Sequence, residues 1–520
     1  MPHTVSARSP ARLMPRASEW HPWLTAAALV VNITSRNVHC VTIGDLATLL
    51  GMALAIATGF YLVAWLLRRA TPQAAAIAST LIVGFGLYGR AFDELFKRCG
   101  LSNPPLLHAC CAAAGLAFLA LIWRTTGNLS RLSAWLTLTM LFVIVQSGAK
   151  HVHYNFATAA QPALVVTDDI PLKPSAMADV LSPEDFPDIY YIILDGYARA
   201  DVLRDRYGLD NSAFLDGLRQ RGFYVADRSC TNYPLTMFSL SSSLNLKFHD
   251  HTPSTADDRS IYEMIRAPQV ARFLKQRGYR FVHFNSPWPG TSFSRTADLT
   301  IGPRRGLTDL LLIFHSFSAL KFILRHSIED EYIAVHQQAF AELPEIARLA
   351  EPTFTFAHFI APHPPFVFDQ HGRGRTDIDQ TKRQSYADEL IGINGEVTRI
   401  VDRILRLSSK PPIIIVQSDH GPAFFACAPL AVDNDEEWVQ ERVPIINAYL
   451  VPDRVRQKLY PTITPVNTFR VLLSECFGAD LPMLDDRVFM THYRAISKRP
   501  EITGQIVDGV PNSTIAVPTK

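Results

Sequence analysis

The chain has 520 residues, 48% of them hydrophobic, and its 50 Lys and Arg nearly balance its 48 Asp and Glu, leaving a formal net charge of +2. That balance, without an extended basic patch, gives no electrostatic footprint for nucleic acid. The length calls for more than one folding unit.

From Trp20 to Val145, long apolar segments alternate with short breaks that carry almost all the charges. Five membrane helices are expected, at Trp20 to Ile33, Leu46 to Leu67, Ala74 to Tyr88, Pro105 to Trp123 and Leu132 to Gln146. A crossing helix needs about 20 apolar residues. The second and fourth segments reach that length; the shorter first, third and fifth read as tilted or partly interfacial partners. Arg8, Arg12, Arg16, Arg68, Arg69, Arg124 and Arg131 fall on one side, and Arg36, Arg90, Lys97, Arg98 and Lys150 on the other. That bias favours a cytoplasmic N-terminus, and five crossings then put everything after Gln146 outside the cytoplasm. No small-residue cleavage site follows a short apolar core, so the first helix reads as an uncleaved anchor.

These patterns divide the chain into an N-terminal segment (1–19), a transmembrane domain (20–150), a Pro-containing linker (151–187), an α/β domain (188–496) and a polar tail (497–520). In the α/β part, apolar strands are expected at Ile189 to Leu194, Phe223 to Ala226, Tyr279 to Asn285, Thr353 to Ile360, Ile413 to Ser418 and Ile445 to Val451. Ile393, Val397, Ile400, Val401, Ile404 and Leu405 recur at helical spacing, predicting an amphipathic helix against the sheet. Alternating strands and helices predict a doubly wound sheet. Cys230, Cys427 and Cys476 in this part show no metal-binding spacing.

Two strands end in acids: Ile192-Ile193-Leu194-Asp195-Gly196 and Ile415-Val416-Gln417-Ser418-Asp419-His420-Gly421. Ligands of open α/β sheets bind beyond the carboxyl ends of strands, and carboxylates with an imidazole suit a divalent metal. Either acid alone would serve equally as a turn or cap residue. Between Cys230 and Leu244, Pro234 and a series of small hydroxyl residues predict a helix starting near Thr236. Its first turn would offer amide donors to an anion, and metal coordination would make a threonine hydroxyl nucleophilic. His249-Asp250-His251 has ligand-like spacing but reads as a polar loop, while His151 and His153 read as interfacial. Asn285 and Asp298 stand at expected strand ends and could line a substrate cleft.

Together, the Asp195 and Asp419-His420 motifs, the Thr236 segment and His358 to Pro365 resemble the sulfatase-like branch of the alkaline phosphatase superfamily. The architecture is similar to its membrane-anchored members, the lipoteichoic acid synthases and phosphoethanolamine transferases. The resemblance implies an α/β fold preceded by about five membrane helices. It also implies one divalent ion (Mn, Zn or Mg) held by Asp195, Thr236, Asp419 and His420, with Thr236 as the nucleophile that becomes modified and Thr231 as the runner-up. His363 matches the family histidine that contacts the transferred group, and His358 is either a substrate contact or a satisfied core residue. Two departures sharpen the expectation. Cys230-Thr231-Asn232-Tyr233-Pro234 lacks the sulfatase maturation sequence, and no histidine follows His420 until His492, which argues for one metal rather than two. The expected function is transfer or hydrolysis of a headgroup phosphodiester of a membrane lipid or envelope glycan, on the extracytoplasmic side. The alternatives are sulfuric ester hydrolysis and a non-catalytic membrane-bound binding protein of the same fold.

Overall fold

The structure, a computed structural model, describes residues 15–36, 43–99, 104–125, 129–160, 170–171, 181–249, 258–303, 314–315, 318–323, 327–423, 435–490 and 499–512. The chain divides into two compact units. Met1–Pro162 with Gly306–Ser327 forms the first, and Ala163–Arg305 with Ile328–Lys520 the second.

The first unit is helical: α1 (His21–Arg36), α2 (Ile43–Arg68), α3 (Thr71–Cys99), α4 (Pro104–Arg124) and α5 (Ser130–Ala160). Four of the described helices, not five, are long and apolar enough to cross a membrane: Gly44–Arg68, Thr71–Phe92, Pro105–Arg124 and Ser130–Val152. The third and fifth expected segments are longer than their apolar cores suggested. The first is not: α1 has 16 residues, below the ~20 that a bilayer core requires. Its polar residues are spent on its neighbours. His21 Nδ1 lies 2.7 Å from Ser79 Oγ and its Nε2 lies 3.3 Å from Ser133 Oγ. Asn32 donates to Ser147 Oγ (3.4 Å), and Thr34 Oγ1 lies 3.0 Å from His151 Nε2. Such interhelical hydrogen bonds are the glue of membrane bundles. His151 thus braces α1 against α5, and the His153 side chain lies outside the described residues.

One contribution to this unit is not visible in the hydropathy pattern read above. The second unit's sequence is interrupted by Gly306–Ser327, which belongs to the first. There Ala319 N donates to Phe85 O (2.8 Å), and the Phe322 ring packs edge-on against Tyr88, Phe92 and His108 at centroid distances of 5.5, 5.0 and 4.6 Å.

The second unit is built on a seven-stranded sheet ordered β2-β7-β6-β1-β5-β3-β4. Its strands are β1 (Ile189–Leu194), β2 (Tyr224–Val225), β3 (Arg280–Phe284), β4 (Leu299–Ile301), β5 (Thr353–Phe359), β6 (Ile413–Gln417) and β7 (Asn447–Leu450). β1 lies between parallel β5 and β6, β3 runs parallel to both β5 and β4, and β7 is antiparallel to β6 and β2. Every residue of β1, β5 and β6 is buried. That explains their unbroken apolar runs, since a sheet covered on both faces has no solvent side to alternate with. The Arg383–Leu407 helix covers one face through Ile393, Val397, Ile400, Val401 and Ile404. The other face is covered by α8 (Thr236–Leu244) and the Pro465–Phe477 helix.

Part of the segment expected as a polar tail is built into this unit. β8 (Ile506–Val507) and β9 (Val510–Pro511) form a hairpin, and Gly509 O accepts from buried Arg199 Nη1 at 2.8 Å and from Cys230 Sγ at 3.2 Å. Ile502 N donates to Val488 O and Met490 N to Pro500 O. The polar composition hid this role because, apart from Ile506 on the apolar core, the hairpin is held mainly through its backbone. Truncating the chain after residue 498 would leave the Arg199 guanidinium short of a buried acceptor, at a cost of about 1–3 kcal/mol. The thermal midpoint of the second unit is therefore expected to fall by several degrees in calorimetry, and an unchanged midpoint would contradict the assignment.

Candidate active site

The site lies at the carboxyl ends of the central strands. The register sets Ile193 beside both His358 and Gln417, so the residues that follow β1 and β6 emerge together. Asp195 N donates to Phe359 O (2.9 Å), and the chain then turns at Gly196, whose φ of +76° suits glycine. Gly196 N donates to Asp419 Oδ1 (3.3 Å) and Tyr197 N to Ser418 Oγ (3.0 Å), tying the two strand ends to each other. Gly421 is required for a different reason. A Cβ there would lie 2.1 Å from Glu441 O, and Gly421 N donates to Arg442 O (2.7 Å).

Asp195, Asp419 and His420 are all buried, and Thr236 is nearly so. His420 Nε2 lies 3.0 Å from Thr236 Oγ1, 3.3 Å from Asp419 Oδ2 and 3.7 Å from Asp195 Oδ1. Ligand atoms about 2.0–2.2 Å from a tetrahedral cation stand roughly 3.3 Å apart, so these separations fit one coordination shell. Asp195 Oδ1 and Asp419 Oδ2 have no hydrogen-bond partner among the described residues, although both are buried. Buried, unpaired carboxylate oxygens carry a desolvation cost that a cation removes. The site therefore fits a divalent metal.

His358 joins the same group rather than serving as a satisfied core histidine. Its Nε2 lies 3.4 Å from Asp195 Oδ2 and has no hydrogen bond among the described residues, and Asp195, His358 and Asp419 converge as a potential metal-holding trio. Its Nδ1 is 2.9 Å from Thr291 Oγ1, which in turn is 2.6 Å from Ser286 Oγ. A partner on one ring nitrogen fixes the orientation of the other. His363 follows β5 directly. Its backbone lies against Gly196, its ring centroid is 6.4 Å from that of His420, and its Nδ1 faces Pro364 O at 2.7 Å.

The electrostatics divide the two acids. Burial opposes ionisation of Asp195, but His363, His358 and His420 hold its carboxyl below the usual carboxylate range. Burial and the Asp195 charge push Asp419 well above that range. The pair thus carries one negative charge until a cation compensates the second. Burial, followed by the Arg442 guanidinium, holds the His420 imidazole well below its ordinary value.

The remaining expected residues are placed elsewhere. Thr231 Oγ1 donates to Asp419 O (2.6 Å) and contacts Tyr233 O (2.9 Å), which makes it a brace for the Asp419 turn. Asn285 spends its side chain beside His283 (3.1 Å) and on Gly302 O and Pro303 O (3.2 Å each), clamping β3 to the loop after β4. Asp298 precedes β4, at the sheet edge opposite the site, where it accepts from Lys275 (2.6 Å) and Phe281 N (2.9 Å). Its expected place at a strand's carboxyl end fails because Asp298 starts a strand instead of ending one. His249 is buried against Ser241 Oγ (2.8 Å), behind the Thr236 helix, while Asp250 and His251 lie outside the described residues.

Arg442 was not anticipated. It is almost fully buried, donates from Nε to Pro234 O (2.8 Å), sits 2.7 Å by Nη2 from His420 Nε2 and stacks over Trp438 at 4.6 Å. His420 Nδ1 lies 2.9 Å from Gly421 O, so with the proton on Nδ1 the Nε2 lone pair faces Arg442 and Thr236 together. No local sequence pattern marks Arg442, since it is brought to the site by contacts with the distant Pro234 and with His420 and Gly421.

The sulfatase family model matches residues 187–459, more than half of the chain and all of the site just described. The chain belongs to the sulfatase family. It is thus an enzyme of the sulfatase-like class. No curated protein is found to match it. Among solved structures, this sulfatase-family chain is similar to the full-length lipooligosaccharide phosphoethanolamine transferase A of Neisseria meningitidis, at 10% identity over 90% of this chain and 96% of that one, with a TM-score of 0.43. It is also similar to the periplasmic domain of EptC from Escherichia coli, at 12% identity over 62% and 94% with a TM-score of 0.42. A Vibrio parahaemolyticus protein of the alkaline phosphatase superfamily is 14% identical over 62% and 78%, with a TM-score of 0.39.

If the shell around His420 Nε2 holds the ion, Asp195→Asn, Asp419→Asn and His420→Ala are each expected to lose stoichiometric metal. His358→Ala, which removes the imidazole of the Asp195, His358 and Asp419 trio, is expected to weaken binding at least about 10-fold. Elemental analysis and calorimetric titration of the purified full chain check this, and an ion retained in His420→Ala would exclude the arrangement. Because Asp419 must give up its proton, binding is expected to release protons and to tighten as pH rises.

Proposed function

We propose that the protein is a membrane-anchored, metal-dependent transferase or hydrolase of headgroup phosphodiesters, with Thr236 as the nucleophile and the second unit on the extracytoplasmic side. The observation that carries this reading is the Thr236 hydroxyl, placed at the first residue of α8 and 3.0 Å from the same His420 nitrogen that both carboxylates approach. A bound cation held by Asp195, Thr236, Asp419 and His420 would lower the hydroxyl's pKa and polarise a phosphoryl oxygen; with one carboxylate pair and one imidazole, the donors suit Zn or Mn as well as Mg. The start of α8 adds the field of a helix N-terminus for the transferred anion.

In the first step the Thr236 Oγ–P bond forms as the ester P–O bond to the lipid alcohol breaks. The hydroxyl proton passes to Asp419, with which it interacts, and His363 supplies the proton that the departing alkoxide takes up. In the second step an acceptor hydroxyl or water attacks phosphorus and passes its proton to His363, while the Thr236 Oγ–P bond breaks and Oγ regains its proton from Asp419. A membrane bundle on the same chain keeps the site near lipid, which raises the effective concentration of such a substrate.

Sulfate-ester chemistry through a matured cysteine is disfavoured by the position of Cys230. Its Sγ donates to Gly509 O (3.2 Å), and burial pushes the thiol up to about 11, countered by Arg199. A thiol so held is neither exposed nor ionised.

Incubation with phospholipid, followed by mass spectrometry, is expected to show a phosphoryl-headgroup adduct on Thr236 that Thr236→Ala abolishes and Thr236→Ser retains. An adduct that persists in Thr236→Ala would refute the nucleophile assignment.

A further inference from the structure

One atom of His420 is approached by every member of the shell. Its Nδ1 lies 2.9 Å from Gly421 O, which places the ring proton there and leaves Nε2 as an acceptor. Around Nε2 stand Arg442 Nη2 at 2.7 Å, Thr236 Oγ1 at 3.0 Å, Asp419 Oδ2 at 3.3 Å and Asp195 Oδ1 at 3.7 Å. A neutral imidazole nitrogen has a single lone pair. It can accept from the guanidinium or coordinate a cation, and it cannot do both.

Arg442 is anchored independently of that contact. Its backbone O accepts from Gly421 N (2.7 Å), and the carbonyl of the next residue, Val443, accepts from Thr231 N (2.8 Å). The side chain is almost fully buried. Its Nε donates to Pro234 O (2.8 Å), and the guanidinium stacks 4.6 Å over Trp438, one turn earlier on the Asp435–Arg442 helix. Losing His420 as an acceptor would therefore leave the guanidinium where it is and Nη2 unpaired. The other acceptors nearby are spoken for: Pro234 O serves Nε, Asp419 Oδ1 accepts from Gly196 N (3.3 Å), and Asp195 Oδ2 faces His358 Nε2 (3.4 Å). A guanidinium cannot shed its charge, and a buried charged donor without an acceptor is costly. Because two carboxylates neutralise a divalent ion, the guanidinium is also what leaves the loaded site positive.

We infer that Arg442 and the metal exchange partners at His420. A cation entering the shell takes Nε2 from the guanidinium, and the released Nη2 becomes the donor that holds an anionic oxygen of the substrate beside Thr236. The exchange itself stands on the metal shell alone, whereas the identity of the anion, a phosphoryl oxygen, rests on the reading of Thr236 as the nucleophile. Its two consequences have opposite signs. Arg442 weakens the hold of the site on the metal, because it competes for a ligand atom, and strengthens the hold on the anion once the metal is bound. Metal loading and anion binding are thereby linked through one side chain. A residue that only braced the fold would not move the two affinities in opposite directions.

The test uses the full-length protein in detergent. Zinc is titrated against a chromophoric chelator, and inorganic phosphate is then titrated calorimetrically into the zinc-loaded protein. Arg442→Met, which removes the competing donor, should bind zinc about 10-fold or more tightly than the wild type. Loaded with zinc, the same variant should bind phosphate about 10-fold or more weakly. Trp438→Leu keeps the guanidinium but removes the face on which it stacks, so both affinities should move the same way by a smaller factor. It also keeps the test available if Arg442→Met does not fold, folding being judged by a thermal midpoint close to that of the wild type. Zinc affinity unchanged or weakened in a folded variant, or phosphate affinity unchanged, overturns the inference. Cleavage of the soluble diester bis(p-nitrophenyl) phosphate separates the two ideas. Wild-type cleavage with a zinc affinity indifferent to Arg442→Met defeats this exchange alone, whereas the opposed shifts in zinc and phosphate affinity without any diester cleavage defeat the catalytic reading alone.

Discussion

The constraint on which the second unit depends is the burial of two carboxylates that face each other. Asp195 and Asp419 are nearly inaccessible to solvent, each has an oxygen without a hydrogen-bond partner among the described residues, and both oxygens turn towards one imidazole nitrogen. Without a cation the chain tolerates this only by keeping one acid protonated, and an unsatisfied buried charge is among the costliest features a fold can carry. The parallel pairing of β1 with β6 makes the encounter unavoidable. Equal register brings both strands to their carboxyl ends together, and the intervening turns are too tight to separate the acids.

Much of the surrounding structure serves to hold that encounter rigid. Thr231 fixes the Asp419 backbone, Ser418 Oγ bridges Tyr197 N to His420 O (2.6 Å), and Tyr386 OH both donates to Gly196 O (2.9 Å) and accepts from Ala198 N (3.1 Å). These groups belong to different elements, the Tyr386 hydroxyl coming from the long helix under the sheet. The amphipathic helix legible as a packing element is therefore also what sets the turn after β1. Fixing the protein dipoles in advance is what makes a site catalytic rather than merely polar.

What the sequence disclosed follows the range of the physics involved. β1, β5 and β6 were legible almost to the residue because a two-sided buried strand demands unbroken apolar residues, and α8 because proline and hydroxyls mark a helix start. Asp195, Asp419, His420 and Thr236 were legible because local motifs at strand and helix ends carry them. Arg442 and the bracing of Asn285 were not, since each depends on where a distant segment passes. The Gly306–Ser327 excursion and the Gly509 hairpin were hidden for related reasons. The first is too short to register as a span, and the second binds by backbone carbonyls that composition cannot signal. α1, expected among the crossing helices, has only 16 residues and runs alongside α5 from Ser133 to His151, and apolar content alone does not distinguish contact with lipid from contact with other helices.

Arg442 gives the site a character of its own. A guanidinium stays charged at any physiological pH, and this one is held by Pro234 O on one side and Trp438 on another, beside the nitrogen that also faces the Thr236 hydroxyl. It thus supplies a permanent positive charge next to Thr236 that needs no metal loading and cannot dissociate. If a divalent cation is held by the two carboxylates its charge would be largely cancelled, and the negative charge developing on a transferred phosphoryl group, on the proposed reading, would have to be met by something else. On the proposed reading the buried Arg442 guanidinium, 2.7 Å from His420 Nε2, would meet that charge at a fixed position.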